Sequence, residues 1–288
     1  MKIKLAVIGD PIGHSLSPMI HTTVLDELGI DYEYRKIHVS PQDLEAFMMS
    51  DAAKQLNGFN VTMPHKESIV KYMESVDDEA ERCGAVNTVR VEKGKFFGYN
   101  TDGDGYTKSL AEIGFELAGK RITLLGAGGA AATVMLKAAS LGAAKISLLN
   151  RTEATAAELA NEVYRKTGVM AEVYPLNTEN CRRCCADCDI LINGTPLGMA
   201  GVSADFEDTS FLEEIGNGGV VSDFIYNPPQ TKLLEDAERL GLKTVNGLGM
   251  LIYQGIAADE IYLGRVLDGK YLKKKIDGYV EKQLGERP

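Results

Sequence analysis

The run ITLLGAGGAAAT, residues 122–133, constrains the fold of this 288-residue chain more than any other stretch. Its first residues are apolar and suited to a buried strand, and the run then stops on glycine. Gly126, Gly128 and Ala131 fit the pattern G-x-G-x-x-A directly after that strand and at the opening of a helix, the context a dinucleotide turn requires. The first glycine permits a tight turn, the second lets the backbone approach a pyrophosphate, and a small third residue lets helix and strand pack closely. The helix start then offers free N–H groups and a positive dipole end to phosphate oxygens. Such a turn ordinarily opens its domain. Here it lies past residue 120, so the residues before it need a role of their own.

Around and after the turn, short β-branched runs alternate with helical ones. RITLLG, KISLLN, MAEVYP, DILING, GVVSDFIY and LKTVNG read as strands bounded by Gly, Asn or Pro. AAATVMLKAASLG and EATAAELANEVYRKTG read as helices between them, the first closed by a glycine suited to a helix C-terminus. This alternation predicts a doubly wound parallel sheet. The first hundred residues alternate less regularly. KLAVIG, YEYRKIHV and GFNVTM read as strands, and SPMIHTTVLDELG as a helix capped by Ser17 with Pro18 at its first position. Ser40-Pro41 repeats that start signal before DLEAFMM. AVNTVRVEKGKFFGYN reads as two strands about a turn at residues 92–95, which predicts a mixed sheet. The helical segments after residue 247 are expected to return to the first half. The expected fold is α/β: a discontinuous substrate-binding and catalytic domain of residues 1–102 and 247–288, and a Rossmann-like dinucleotide domain of residues 103–246, with a cleft between them.

A hydrophobic fraction of 44% with 25% charged residues fits a globular enzyme, and the net charge of −10 argues against nucleic acid as a partner. No apolar run approaches the ~18 residues a membrane helix needs, and the N-terminal run is too short for a signal peptide. No membrane partner and a cytoplasmic location are therefore expected. Four of the five cysteines, Cys181, Cys184, Cys185 and Cys188, form C-x2-C-C-x2-C. Those offsets make one helical stripe, extending roughly 10 Å. Four thiolates so placed cannot converge at about 2.3 Å on one tetrahedral metal. The expectation is packing, with no metal.

Small polar residues cluster at the strand ends of the first half: Ser15, Ser17, Asn60, Thr62, Asn87, Thr88, Thr101 and Asp102, with Lys66 just beyond GFNVTM. Singly, each suits a turn or a cap, as for Asn100 and Thr101. Together they suit a small polyhydroxylated ligand, because an analogue lacking a hydroxyl leaves buried polar groups unpaired. In the second half, Asn150, Arg151 and Thr152 end the strand that should face the adenosine ribose. An arginine there accommodates a 2′-phosphate, which favours NADP, although the carboxylate of Glu153 opposes it and keeps NAD open.

The motifs GHSLSP, NVTMPHK, GAVNT, GYNTDG, LLGAGGAA, NRT, NGTPLGM and GMLIYQG, in this order, resemble the shikimate dehydrogenase family along essentially the whole chain. The resemblance implies NADPH-dependent reversible reduction of 3-dehydroshikimate to shikimate, in chorismate and aromatic amino-acid biosynthesis. It implies Lys66 and Asp102 as the catalytic pair. Ser15 and Ser17 match the positions that bind the substrate carboxylate, and Asn60, Thr62, Asn87, Tyr226 and Gln254 those around the ring hydroxyls. Cofactor contacts are implied for Gly126, Ala127, Gly128, Gly129 and Ala130, for Asn150, Arg151, Thr152, Glu153, Ala154 and Thr155, and for Phe224 and Gly247. His65 neighbours Lys66, but adjacent side chains of an extended segment point opposite ways. Two departures from the family pattern stand out. Thr155 occupies a position where many relatives carry a basic residue, and NGTPLGM replaces a segment that in many biosynthetic relatives begins NAT. Both keep a second reading open, a quinate/shikimate dehydrogenase using NAD or both cofactors. A sensing module on the same fold is a further rival, weakened because Lys66 and Asp102 are both present and a pure sensor would not need both. A homodimer is compatible with the resemblance.

Overall fold

The structure is a computed structural model that describes residues 2–13 and 15–285, with side chains to residue 280. His14 of GHSLSP and the outermost ends of the expected first domain, Met1 and residues 286–288, lie outside the described residues. The chain forms two compact units, residues Met1–Gly105 with Ile252–Pro288, and residues Tyr106–Leu251.

The first unit opens with strand β1 (Ile3–Gly9), helix α1 (Ser17–Glu27), strand β2 (Tyr32–His38), helices α2 (Leu44–Met49) and α3 (Asp51–Lys54), and strand β3 (Gly58–Val61). Strand β4 (Ser75–Val76), helix α4 (Asp78–Cys83) and strands β5 (Thr88–Glu92) and β6 (Lys95–Tyr99) follow. The sheet runs β2-β1-β3-β5-β6-β4. β1 pairs parallel with β2 and β3, whereas β5 is antiparallel to β3 and β6, so the expected mixed sheet is present. β1 alternates between two cores because successive side chains leave opposite faces. Leu5 joins Leu25, Ala258 and Tyr262 on one side. Ala6 and Ile8 join Leu44, Met48 and Phe59 on the other.

Helix α5 (Asp102–Ala111) begins in the first unit and continues into the second. The second unit then alternates regularly: β7 (Arg121–Leu125), α6 (Gly129–Ser140), β8 (Lys145–Asn150), α7 (Glu153–Thr167), β9 (Ala171–Pro175), α8 (Thr178–Cys185), β10 (Ile190–Asn193), β11 (Val220–Asp223), α9 (Lys232–Arg239) and β12 (Lys243–Val245). Its sheet is parallel throughout, ordered β12-β11-β10-β7-β8-β9. That is the doubly wound order in which the first strand lies beside the fourth, and the crevice at that reversal is where such folds take ligands. Helix α10 (Gly247–Leu263) leads back into the first unit, and α11 (Gly269–Gly285) closes the chain.

The four clustered cysteines pack in the second unit's core with Leu125, Leu191, Phe211 and Leu233. Cys188 lies just past the end of α8 but remains buried. Burial pushes the Cys181 thiol up to about 12, so it stays a protonated, unreactive packing group at neutral pH. Two helix starts differ from expectation. Leu16, already helical in backbone, is the N-cap of α1, and Ser17 is its first residue. The Ser15 hydroxyl accepts from the Ser17 N–H at 3.2 Å, which moves the start back and leaves the Ser17 hydroxyl outside the capping role. Pro41 starts no helix either: Ser40 Oγ donates to Asp43 at 2.6 Å in a turn, and α2 starts only after Asp43.

Candidate active site

In the first unit, the candidate residues sit at neighbouring strand ends. Asp10 N donates to Met63 O at 2.9 Å, joining the loop after β1 to the loop after β3. Gly9 makes this approach possible: a Cβ there would lie 2.4 Å from Thr62 Cγ2. Two side chains from β2 tie down the loop that leads to Ser15 and Ser17. Lys36 Nζ donates to Gly13 O at 2.6 Å, and His38 Nε2 lies 2.9 Å from Asp10 Oδ1.

Lys66 Nζ stands 2.6 Å from Asp102 Oδ2. The lysine side chain is 32% exposed and the carboxylate 9%, so one end of the pair meets solvent and the other is held in protein. Asp102 opens α5, where a carboxylate favours the positive end of the helix dipole. Its other oxygen, Oδ1, accepts from Asn87 Nδ2 at 2.8 Å, and its backbone N–H donates to Asn100 Oδ1 at 3.1 Å. Asn87 is almost fully engaged. Its amide nitrogen also donates to Thr101 Oγ1 at 2.9 Å and approaches Gln254 Oε1 at 3.4 Å. Its oxygen accepts from Thr88 Oγ1 at 2.9 Å and Thr101 N at 3.0 Å. Thr101 Oγ1 further reaches Gln254 O at 3.0 Å. Asn87, Lys66, Asp102 and Gln254 are therefore one hydrogen-bonded group.

Asn100 and Thr101 do more than shape a turn, since both are buried members of this network. A side chain aimed inward from a turn carries no mark in the sequence. His65 acts only locally, because its Nε2 lies 2.6 Å from Val39 O and the residue is buried. Tyr34, which the motifs did not single out, donates through its hydroxyl to Asn60 Oδ1 at 2.8 Å. Thr62 and Ser17 keep hydroxyls that make no hydrogen bond among the described residues. Tyr226 lies in the second unit, following β11, apart in the chain from the other expected substrate contacts.

The second unit gathers its glycine turns at the point where the strand order reverses. Gly126, at φ +95°, occupies the left-handed region, and a Cβ there would lie 2.9 Å from Gly194 O. A Cβ on Gly194 would meet the Ala131 Cβ at 3.0 Å and the Phe224 ring at 3.3 Å. Gly247 approaches Phe224 more closely still, since a Cβ would stand 2.0 Å from its carbonyl oxygen. Gly126, Phe224 and Gly247 thus lie in one continuous packing through Gly194 and the Phe224 ring.

Above this packing the start of α6 is open. Gly128 is its N-cap without a side-chain bond, no acidic residue occupies the first turn, and Gly128, Gly129 and Ala130 are exposed. Cβ atoms on Gly128 or Gly129 would meet nothing within 4 Å. Free N–H groups beside open space fit a diphosphate. Beyond β8, Asn150 Nδ2 donates to Thr152 O at 2.9 Å, and Arg151 is exposed with no ion pair among the described residues. Glu153, Ala154 and Thr155 are exposed in the first turn of α7. An unpaired guanidinium at this strand end suits a 2′-phosphate.

A Rossmann-type sheet with an open glycine turn, in a chain that also carries a lysine–carboxylate pair, defines an α/β dehydrogenase. Residues 7–89 match the family described as the shikimate dehydrogenase substrate binding domain, and residues 109–199 match shikimate/quinate 5-dehydrogenase. A shikimate dehydrogenase (NADP(+)) of Methanopyrus kandleri is 41% identical over 261 residues, 90% of each chain. The shikimate 5-dehydrogenase of Listeria monocytogenes, solved with shikimate and NAD, has a TM-score of 0.86 at 36% identity, covering 95% of this chain and 96% of that one. A shikimate dehydrogenase solved with NADP+ has a TM-score of 0.84 at 37% identity over 96% of both chains. The chain belongs to the shikimate dehydrogenase family.

Proposed function

We propose that this chain is an NADP-dependent shikimate dehydrogenase, reducing 3-dehydroshikimate reversibly to shikimate on the route to chorismate and the aromatic amino acids. The observation that carries the reading is the Lys66–Asp102 pair at 2.6 Å, in a family whose members are named for this reaction. NADPH, when bound, supplies the hydride. Its diphosphate would be held by residues 126–130, its 2′-phosphate by Arg151 with Asn150, Thr152 and Thr155, and its remaining contacts would come from Glu153, Ala154, Phe224 and Gly247.

As the ketone carbon becomes an alcohol, its oxygen gains negative charge and needs a proton. Lys66 as ammonium donates that proton, and as neutral amine removes it in the reverse direction. Asp102 Oδ2 aims the amine, and Asn87 and Asn100 hold Asp102, so the pair is oriented before substrate arrives. Ser15 and Ser17, beside the N-terminus of α1, suit the substrate carboxylate. Asn60, Thr62, Asn87, Tyr226 and Gln254 take the ring hydroxyls. The reading assigns residues 1–102 and 247–288 to substrate and residues 103–246 to cofactor. Five free cysteines suit a reducing cytoplasm. A homodimer completes the reading, and sedimentation velocity tests it.

The deciding experiment compares initial rates of shikimate and quinate oxidation with NADP and with NAD. Shikimate with NADP is expected to give the highest kcat/KM. Preference for quinate with NAD would replace this reading by a quinate/shikimate dehydrogenase, the alternative that the NADP(+)-named relative does not favour.

A further inference from the structure

The mechanism leaves one buried cluster of the first unit without a role. His21 on α1 and Asp259 on α10 are both fully buried, with His21 Nδ1 2.8 Å from Asp259 Oδ1. His21 Nε2 and Asp259 Oδ2 are sealed from solvent without partners. Polar atoms left in that state are rare and call for an explanation in what they support. The His21 ring stacks on Tyr34, with centroids 5.0 Å apart and planes at 11°. The Tyr262 ring also lies near His21, with centroids 6.1 Å apart and planes at 52°, and is pressed on Gly58, where a Cβ would fall 2.4 Å away. The Tyr34 ring thus stacks on a buried imidazole held by Asp259, and its hydroxyl donates to Asn60 Oδ1 at 2.8 Å.

An asparagine amide can present either end to a ligand, and what contacts one end decides what the other offers. Burial pushes the Tyr34 hydroxyl well above its ordinary range, so it keeps its proton and remains a donor. Asn60 Oδ1 is its acceptor. Asn60 Nδ2 makes no hydrogen bond among the described residues and, unlike His21 Nε2, is not sealed from solvent. We propose that the His21–Tyr34 stack, anchored by Asp259, is a positioning device that holds the Asn60 amide with its oxygen inward and its NH2 presented as a donor to a substrate hydroxyl oxygen. Tyr34, His21 and Asp259 act through Asn60 and do not touch the reacting atoms. The inference rests on the shikimate dehydrogenase reading.

A double-mutant cycle tests it. Tyr34→Phe removes one hydroxyl and is expected to raise the KM for shikimate about tenfold, with kcat and the KM for NADP little changed. Asn60→Ala raises the same KM, and in that background Tyr34→Phe adds less than about twofold, because its route to the substrate is gone. Asp259→Asn, whose amide oxygen can still accept from His21 Nδ1, keeps the KM near wild type, while Asp259→Val raises it. Thermal unfolding of each variant identifies any that fail to fold, and the Tyr34–Asn60 cycle stands without the Asp259 pair. Additive effects of Tyr34→Phe and Asn60→Ala in an active enzyme, or a fall in kcat with KM unchanged, overturn the inference alone. A wild-type protein that does not oxidise shikimate overturns the reading above and this inference with it.

Discussion

Replacing Lys66 by alanine removes the proposed proton donor and little else. The amine reaches the site from a segment whose backbone stays anchored, since Val86 N donates to Lys66 O at 2.7 Å. Asp102 keeps Asn87 on Oδ1 and Asn100 at its backbone, so the carboxylate stays in place after its ammonium partner is gone. With the lysine partly exposed, losing the pair costs about 1 kcal/mol of stability at most. A positioned proton donor is worth about 10²–10⁴ in rate. The kcat for shikimate oxidation should therefore fall by that factor, about 3–5 kcal/mol in barrier. The KM for NADP should stay unchanged and that for shikimate should move less than about tenfold, because the proposed site assigns binding to hydroxyls and amides on other elements. Initial rates at saturating NADP, with thermal unfolding alongside, provide the assay. A folded variant retaining kcat within about threefold of wild type would refute the argument, since the hydroxyl proton would then pass to another group.

Two further outcomes follow from the second unit. Asp223 is fully buried, and burial raises its carboxyl from 3.8 to about 6 despite donors at Asn193, Ile225 and Thr231. The raised value means that the folded state favours the protonated form, so this group's contribution is complete below about pH 4 and is lost as pH rises through about 6, a change of about 3 kcal/mol. Asp223→Asn should remove that slope: urea unfolding at pH 4 and pH 7 should show the variant gaining on wild type at the higher pH, and a constant difference would refute it. Gly247→Ala would place a Cβ 2.0 Å from the Phe224 carbonyl oxygen. Backbone must move, so a loss at or above the about 1–3 kcal/mol of ordinary overpacking is expected, together with a raised KM for NADP. An unchanged melting temperature would show that the approach is not required.

Most of the second unit was legible because a strand buried on both faces reads as a continuous apolar run, as in RITLLG and DILING. Helix α5 was not: its start, Asp-Gly-Asp-Gly, carries turn signals. Asp102 and Asp104 in its first turn complement the helix dipole and offset the glycines. β4, two residues long, has too little length for any periodicity to show. Within the site, Lys66 and Asp102 could be named from their motifs, but the bond from Tyr34 to Asn60 could not. Tyr34 pairs with Leu5, and Asn60 with Val7, so the contact crosses the whole width of β1 diagonally and exists only once the strand order is known. His21 and Asp259 stand 238 positions apart, beyond any local pattern.

The hydrogen bonds divide the polar residues of the first unit into two kinds, which selection by motif alone cannot do. Asn87 and Thr101 meet protein partners on both the donor and the acceptor side, and Asn87 is only 2% exposed. Asn60 Nδ2 and the hydroxyls of Ser17 and Thr62 have none among the described residues. A group already bonded on every side offers a ligand little, because a new contact must replace one it already has. Asn87 was expected to meet the ring hydroxyls. Its amide also keeps Asp102 Oδ1 occupied, while Asp102 Oδ2 faces Lys66. On the proposed mechanism, selectivity for a hydroxylated ring and readiness for proton transfer would then rest on different side chains. A change at Thr62 should act on KM, and a change at Asn87 should act on kcat through the carboxylate it holds.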